Sequence, residues 1–393
     1  MKRIAAFLVL CVMLFGLAAA EEITIPELDL TRMDIPDNEA MDFLAGLGVG
    51  WNLGNTFDAY GVTWMPNELD SERGWTRYFT TRELIQAVAD AGYGFIRMPV
   101  SWHDHVDADF NISEPWLDRV QEVADWAVDA GLYVIINTHH DEDFQYFYPD
   151  SEHYESSAKF LTAIWSQLAE RFADYDEHII LESLNEPRQT GKPHEWKLNM
   201  ANPDCVDAVD CINRLNQLFV DTVRAAGGRN ADRYLLIPGY AASHNSIDPS
   251  FFKLPEDTAD NRIIVAVHAY TPYDFALNVN GPATFTQRDR TSVAQVVQTI
   301  YENYIVNGIP AIISEMGAVD KNNLQTRVEW LAYYVALASS RGIPVCWWDN
   351  GAFSGNGEKF GLIDRGTAEW KFPVIPETMM KYKMTPAEEG VAQ

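Results

Sequence analysis

The sequence is poor in positive charge. Its 29 lysines and arginines are outnumbered by 57 aspartates and glutamates, which leaves a formal net charge of -28 at pH 7. A surface this acidic repels phosphate backbones and anionic lipid headgroups. The composition therefore predicts neither a nucleic-acid partner nor a membrane-surface partner, and it favours an uncharged ligand.

Cysteine is also scarce, and the four cysteines show no zinc-binding spacing. Cys205 and Cys211 lie close together in the sequence and could pair in an oxidising compartment, whereas Cys346 lies in an apolar run and is expected to be a buried thiol. No glycine-rich phosphate loop opens a helix after an early strand. We therefore expect no metal and no cofactor.

Long apolar runs are absent except at the N-terminus. Lys2 and Arg3 precede an apolar run over residues 4–17, and Ala18-Ala19-Ala20 follow. This order is typical of a cleaved signal peptide, and the run is short for a membrane span. We predict a signal peptide at residues 1–20 and a secreted protein, extracellular or periplasmic, without a membrane anchor. A buried N-terminal helix or an uncleaved anchor is the alternative.

Short apolar runs that end in polar or aromatic residues recur along the rest of the chain, and eight of them predict strands. They are LGVGWNLGN (47–55), FIRMPV (95–100), YVIINTHH (133–140), IILESLNEP (179–187), YLLIPGY (234–240), IIVAVHAY (263–270), AIISEMG (311–317) and PVCWWDNG (344–351). Helical patterns separate them, at 80–93, 113–132, 155–174, 206–226, 292–307 and 325–341.

Eight strands that alternate with helices predict an α/β fold, a parallel (β/α)8 TIM barrel. A doubly wound open sheet is the alternative, but it usually carries the phosphate loop that is missing here. No repeat, linker, binding module or docking domain is visible. We predict one domain over 46–380, a lead-in segment at 21–45, a tail at 381–393, and a monomer.

The active site of such a barrel lies at the carboxyl ends of its strands. Two carboxylates are expected there, Glu186 at the end of the fourth strand and Glu315 at the end of the seventh, and they would face each other across the barrel mouth. This pairing suits glycoside hydrolysis, in which one group protonates the leaving oxygen while the other attacks the anomeric carbon or activates water. Arg97 is placed to keep a carboxylate ionised, and Tyr270 to orient one.

Seven motifs in this order resemble glycoside hydrolase family 5, and within it the bacterial endo-β-1,4-glucanase branch, subfamily 4. They are GWNLGNTFDA (50–59), IRMPVSW (96–102), NTHHD (137–141), LNEP (184–187), VHAYTP (267–272), ISEMGA (313–318) and WWDNG (347–351). They span most of the chain that follows the predicted signal peptide.

The resemblance implies a retaining enzyme whose partner is a β-glucan polysaccharide, with Glu186 as acid/base and Glu315 as nucleophile. It further implies a set of substrate-binding or supporting residues. Asn185 would bind the sugar 2-hydroxyl, and Trp348 would form a stacking platform. Arg97 and His139 would support the nucleophile and the substrate, with His140 as a neighbour. His268 and Tyr270 match a His-x-Tyr pair of the family.

Other interpretations stay open at this point. The same fold could serve a xyloglucanase, lichenase, xylanase or β-mannanase, and a non-catalytic polysaccharide-binding barrel or a structural cell-surface protein is a further alternative. Glu182, inside the fourth strand, is expected to form an interior salt bridge or to point outward as a polar residue. His103 and His105 are expected on surface loops, and Trp347 in the core.

Overall fold

This computed structural model describes residues 22–62 and 64–385. The predicted signal peptide, 1–20, and residues 386–393 of the predicted tail lie outside the described residues.

Eight parallel strands close into a barrel in which each strand pairs with its neighbours in sequence order and the last pairs with the first. They are β1 (Val49–Leu53), β2 (Phe95–Met98), β3 (Tyr133–Asn137), β4 (Ile179–Glu182), β5 (Leu235–Ser243), β6 (Ile263–His268), β7 (Ala311–Met316) and β8 (Val345–Asp349). Nearly every strand residue is buried, because helices cover the outer face and side chains fill the inside. The predicted eight strands and the TIM barrel are confirmed.

Helices cover the barrel as the apolar periodicity predicts. They are α1 (Glu39–Leu47), α2 (Arg82–Asp90), α3 (Glu114–Asp129), α4 (Tyr154–Arg171), α5 (Pro203–Ala225), α6 (Tyr273–Ala276), α7 (Gln287–Asn303), α8 (Leu324–Ser339) and α9 (Val374–Tyr382). All six predicted intervening helices are confirmed, whereas the sequence analysis missed α1 and the short α6. Within the described part of the chain, no helix is both long and apolar enough to cross a membrane.

The segment before the barrel packs against it. Helix α1 buries Met41 and Leu44 in the common core, and Phe43 stacks on Tyr234 at 3.7 Å, just before β5. Residues 22–37 form an extended strap over the outer helices, in which Met33 N donates to Ser340 O over 2.8 Å. The predicted boundary at residue 46 therefore falls inside a helix, and the predicted boundary at 380 falls inside α9.

The structure decides one possibility that the sequence left open and corrects one expectation. Cys205 and Cys211 are buried and free, and both lie on α5. Six residues of helix separate two α-carbons by about 9 Å, too far for a disulfide. His105 was expected on the surface but is buried, because its ring stacks on Trp116 at 3.7 Å. Cys346 is a buried thiol, as predicted.

We expect Arg233 to be important for the stability of the barrel base. This buried arginine donates to the backbone oxygens of Phe172, Tyr175, Asp176 and Ile179, between the end of α4 and the start of β4. Arg233→Met removes four hydrogen bonds from a charged donor to these carbonyls and should lower the free energy of unfolding by ~3–5 kcal/mol. Denaturant unfolding measures this loss. The control Arg229→Met changes an exposed arginine of the same loop and should stay within about 0.5 kcal/mol of the parent. Equal unfolding free energies for both variants would contradict the assignment.

Candidate active site

A single guanidinium joins four strand ends inside the barrel. Arg97, near the end of β2, is fully buried and donates to four side chains that come from β1, the β4 strand, the loop after β4, and β7. The acceptors are Glu182 Oε2 at 2.7 Å, Glu315 Oε1 at 2.6 Å, Asn185 Oδ1 at 2.9 Å and Asn52 Oδ1 at 3.0 Å. Burial alone would lower the pKa of Arg97, but the two carboxylates outweigh it and raise that pKa above its usual value.

Glu182 is one of these two carboxylates, and it occupies the barrel interior. Its side chain is fully buried against Arg97, so it cannot contact a ligand at the mouth. Of the two positions expected for Glu182, the structure shows the interior salt bridge. A buried charge needs such a partner, because leaving it unpaired would cost several kcal/mol.

Glu315 is held from two sides at the barrel mouth. Arg97 Nη1 donates to Oε1, and the Tyr270 hydroxyl donates to Oε2 over 2.8 Å. Burial is the main reason that the pKa of Tyr270 lies well above its ordinary value, so the phenol keeps its proton and remains a donor. Both carboxylate oxygens are thus fixed by donors, which suits an ionised nucleophile.

Glu186 lies opposite, in the loop after β4, and is paired with His268. The Oε1 atom of Glu186 is 2.8 Å from His268 Nδ1, and the same nitrogen is 3.6 Å from Glu315 Oε2. Burial raises the pKa of Glu186, whereas the charges of Arg188 and Arg97 lower it. Burial lowers the pKa of His268 to about 4, so its ring is neutral in mildly acidic and neutral solution.

The two catalytic candidates stand close together. One oxygen of Glu186, one of Glu315 and a ring nitrogen of His268 all lie within 4.8 Å of one another. Inverting glycosidases need about 6.5–9.5 Å between their carboxyl groups to fit a water, whereas retaining enzymes hold them about 5–5.5 Å apart. The geometry therefore fits a direct attack on the sugar by one of the two carboxylates.

The remaining predicted residues line the same mouth. His139 is buried with its ring parallel to that of Trp348, at a centroid distance of 5.8 Å. Its side-chain partner is Asn137, at 3.1 Å, rather than Glu315. His140 lies beside it, and burial lowers the pKa of His140 to about 4 and that of His139 well below its ordinary value. Two neutral imidazoles are suited to hydrogen bonds with sugar hydroxyls.

Alternation along β8 separates its two tryptophans. Trp347 is fully buried and donates Nε1 to the backbone oxygen of Phe360, over 3.1 Å. Trp348 points to the opposite side, toward His139 and the mouth, and retains 8% exposure. Of the two tryptophans of β8, therefore, Trp348 is the one that can offer a face to a sugar.

Four residues that were not predicted as site residues surround this centre: Asp58, Asp141, Glu142 and Arg188. Burial raises the pKa of Asp58 to about 7, and its carboxylate accepts the backbone N–H groups of Asn55 and Thr56. Asp58 and Asp141 stand in the quoted motifs GWNLGNTFDA and NTHHD, while Glu142 and Arg188 directly follow NTHHD and LNEP. Membership in or next to these motifs is the signal that could have found them.

Two groups of side chains bring atoms that could bind a metal within 4.8 Å of one another. These are Asp58 with His139 and His140, and Glu186 with His268 and Glu315. Asp58 accepts hydrogen bonds from two backbone N–H groups, and Glu315 accepts hydrogen bonds from Arg97 and Tyr270. These carboxylates therefore have protein hydrogen-bond partners in the described structure.

A cavity of about 510 Å³ opens beside the centre. Its wall includes Tyr60, His103, His140, Tyr146 and Arg188. Trp75 extends this wall, since it lies 5.4 Å from Tyr60 between ring centroids and keeps 38% of its surface exposed. Aromatic faces at the rim suit the apolar faces of pyranose rings.

Both the sequence and the fold match known proteins. The family described as cellulase, glycosyl hydrolase family 5, matches residues 54–354. Endoglucanase B of Ruminococcus albus is 41% identical over 346 residues, which cover 87% of this chain and 80% of that protein. A mutant of a glycoside hydrolase 5 lichenase from Caldicellulosiruptor sp. F32, in complex with cellotetraose, is 48% identical with a TM-score of 0.91, over 92% of this chain and 100% of that chain. A GH5-4 broad specificity endoglucanase from Ruminococcus champanellensis with bound cellotriose is 43% identical with a TM-score of 0.82, over 88% and 100% of the two chains.

The pKa values of two histidines of the site should depart from the ordinary value in opposite directions. Burial lowers the pKa of His268 to about 4. Burial disfavours the charged form of His103 too, but Asp141, 2.9 Å from its Nδ1, outweighs it and raises the pKa of His103. NMR of labelled imidazoles at pH 5.5 should therefore show a neutral His268 and a protonated His103.

The variants His268→Gln and His103→Gln assign the two imidazole signals, since each removes one of them. A His268 signal that titrates near its ordinary value of 6.5 would contradict the buried, neutral imidazole described above.

Proposed function

The chain belongs to glycosyl hydrolase family 5, and we propose that it is a secreted endo-β-1,4-glucanase that hydrolyses internal bonds of cellulose or related β-glucans with retention of configuration. The observation that carries this proposal is the pair Glu186 and Glu315, whose nearest oxygens lie within 4.8 Å across the barrel mouth. The acidic surface and the aromatic rim favour a neutral polysaccharide over a charged one.

In the first step, Glu315 attacks the anomeric carbon and the glycosidic C–O bond breaks. Arg97 and Tyr270 hold the attacking carboxylate in place. Glu186 gives its proton to the leaving oxygen, so the departing sugar leaves as a neutral alcohol. Burial raises the pKa of Glu186 and so favours the protonated form that this step requires.

In the second step, water replaces the departed sugar. Glu186, now a carboxylate, takes a proton from this water, and the oxygen attacks the anomeric carbon while the bond to Glu315 breaks. The products are a reducing sugar of unchanged anomeric configuration and a protonated Glu186, ready for another cycle. Asn185, fixed by Arg97 through its Oδ1, keeps its amide N–H groups available for the sugar 2-hydroxyl.

The preferred polymer is a separate question, because this machinery serves every β-1,4 glycan of similar shape. A lichenase is the second candidate, since the Caldicellulosiruptor protein of nearly the same fold carries that name. Initial rates on carboxymethylcellulose, mixed-linkage glucan, xyloglucan, xylan and mannan distinguish these activities. A non-catalytic barrel would hydrolyse none of them.

Secretion through cleavage after Ala20 is part of the same proposal. The chain packs on the barrel from Ile23 onward, just after the proposed cleavage point. We propose a monomer whose partner is the polysaccharide alone. The mass of the N-terminal peptide and the molar mass in solution test these two statements.

Removing either carboxylate should abolish a different part of the reaction. Glu315→Gln should lower kcat/KM on a soluble β-glucan by at least about 1000-fold, because the nucleophile is lost. Glu186→Ala should lower it by ~10²–10⁴-fold on the glucan, yet by less than about tenfold on a dinitrophenyl cellobioside, whose leaving group needs no acid. Steady-state kinetics measure both effects.

The control Glu302→Gln, an exposed residue of α7, should retain full activity on both substrates. Near-parental turnover of Glu315→Gln would overturn the nucleophile assignment. Equal losses of Glu186→Ala on both substrates would count against the acid role.

The stereochemical outcome follows from the carboxylate spacing. Proton NMR of fresh cello-oligosaccharide hydrolysate should show the β-anomer first, with the α-anomer growing only through mutarotation. An α-anomer that appears first would require inversion and would rule out the double displacement.

A further inference from the structure

Arg188, two positions after Glu186, lies beside the centre and takes no part in the mechanism described above. Its Nη1 donates to Glu142 Oε1 over 2.8 Å and to the backbone oxygen of Glu186 over 2.9 Å. Its Nε donates to Glu195 Oε1 over 3.2 Å. The guanidinium thus links the backbone of Glu186 to the loops after β3 and β4. The side chain of Arg188 is largely buried, with 12% of its surface exposed.

Further contacts make this arrangement rigid. The guanidinium of Arg188 lies over the ring of Trp196, 4.2 Å from its centroid, and Glu195 Oε2 accepts the backbone N–H of Gly191 over 3.0 Å. On the other side, Ala241 N donates to the oxygen of Pro187 over 2.8 Å. Ala241 itself has φ of 51°, a left-handed conformation that costs about 1 kcal/mol or more in a non-glycine residue.

We propose that Arg188 is a positioning residue for Glu186: its guanidinium clamps the Glu186-Pro187 turn to the loops after β3 and β4, so that the acid/base carboxyl meets the leaving oxygen. This inference rests on the proposed function. A misplacement of the acid by about 1 Å is enough to cost a large factor in rate, and the turn has no regular secondary structure of its own.

The charge of Arg188 adds a second effect on the same carboxyl group. Several charged or titratable groups act on Glu186. The cations are Arg97 from β2 and Arg188 from its own loop. The other groups are Glu142 from the loop after β3, His268 and Tyr270 from β6 and the residues after it, Glu315 from β7, and Glu358 after β8. Arg188 is the charge that lowers the pKa of Glu186 most. Loss of this cation therefore raises the pKa of Glu186. Because the acid must be protonated, the alkaline limb of kcat/KM should then move to higher pH.

Arg188→Met tests both effects in the full chain. We expect kcat/KM on soluble β-glucan to fall by ~10–100-fold, but on a dinitrophenyl cellobioside by less than about threefold. The alkaline limb should move up by about 0.5–1 pH unit. Arg188→Lys keeps the charge but not the planar fork, so its alkaline limb should stay within about 0.3 pH unit of the parent.

Arg214→Met is the matched control. Arg214 also lies over an aromatic ring, that of Tyr154, and beside a carboxylate, that of Asp210, but on the outer helix α5. It should change neither substrate ratio nor pH profile. An unmoved alkaline limb together with equal losses on both substrates in Arg188→Met would overturn the inference.

Two further variants keep the test decisive. If Arg188→Met does not fold, Glu195→Gln removes the negative charge of one partner of Arg188 at a partly exposed position. It should cause a three- to tenfold loss confined to the glucan, at ~0.6–1.4 kcal/mol. An equal loss on both substrates, or none, overturns the inference. Glu186→Ala, run in parallel, separates the two proposals. If it is selective and Arg188→Met is not, only the role of Arg188 fails; if it is not selective either, the acid role fails and the inference falls with it.

Discussion

The site depends on one buried ion cluster. Arg97 is fully buried and contacts two carboxylates, Glu182 and Glu315, and two amides, Asn52 and Asn185. Because a buried guanidinium without partners would cost several kcal/mol, these four side chains must meet at its fork whenever the barrel closes. Glu315 and Asn185, the proposed nucleophile and the proposed ligand of the sugar 2-hydroxyl, are therefore positioned by the same contacts that allow a cation inside the barrel.

The different roles proposed for Glu315 and Glu186 follow from the groups that surround each carboxylate. Glu315 accepts from a guanidinium and a phenol, which suits an anion that attacks. Among the described residues, the side-chain partner of Glu186 is the neutral ring of His268 and not a guanidinium. Burial raises the pKa of Glu186. Both features suit a group that carries a proton. Glu182, with the same chemistry, is excluded by position, since it lies in the interior below both.

The barrel and the two carboxylates could be predicted from sequence, because short apolar runs with polar ends repeat at every strand. Glu182 and Glu186 were separable by their position before and after the strand end. The burial of His105, helix α1 and the contacts of Arg188 could not be predicted. They depend on contacts between segments that are distant in the sequence, and a local sequence pattern gives no information about such contacts. His105 looks like a loop residue but stacks on Trp116, α1 follows a segment without a clear apolar run, and Arg188 acquires its role from Glu142, 46 positions away.

The most direct test of the account is to trap the covalent intermediate. A 2-deoxy-2-fluoro cellobioside with a good leaving group slows the second step, so the sugar should remain attached to the enzyme. Mass spectrometry of the digested protein should find the label on Glu315, in one-to-one stoichiometry with lost activity. A label on Glu186 or Glu182, or hydrolysis with no labelled peptide, would contradict the double displacement at the Arg97 cluster.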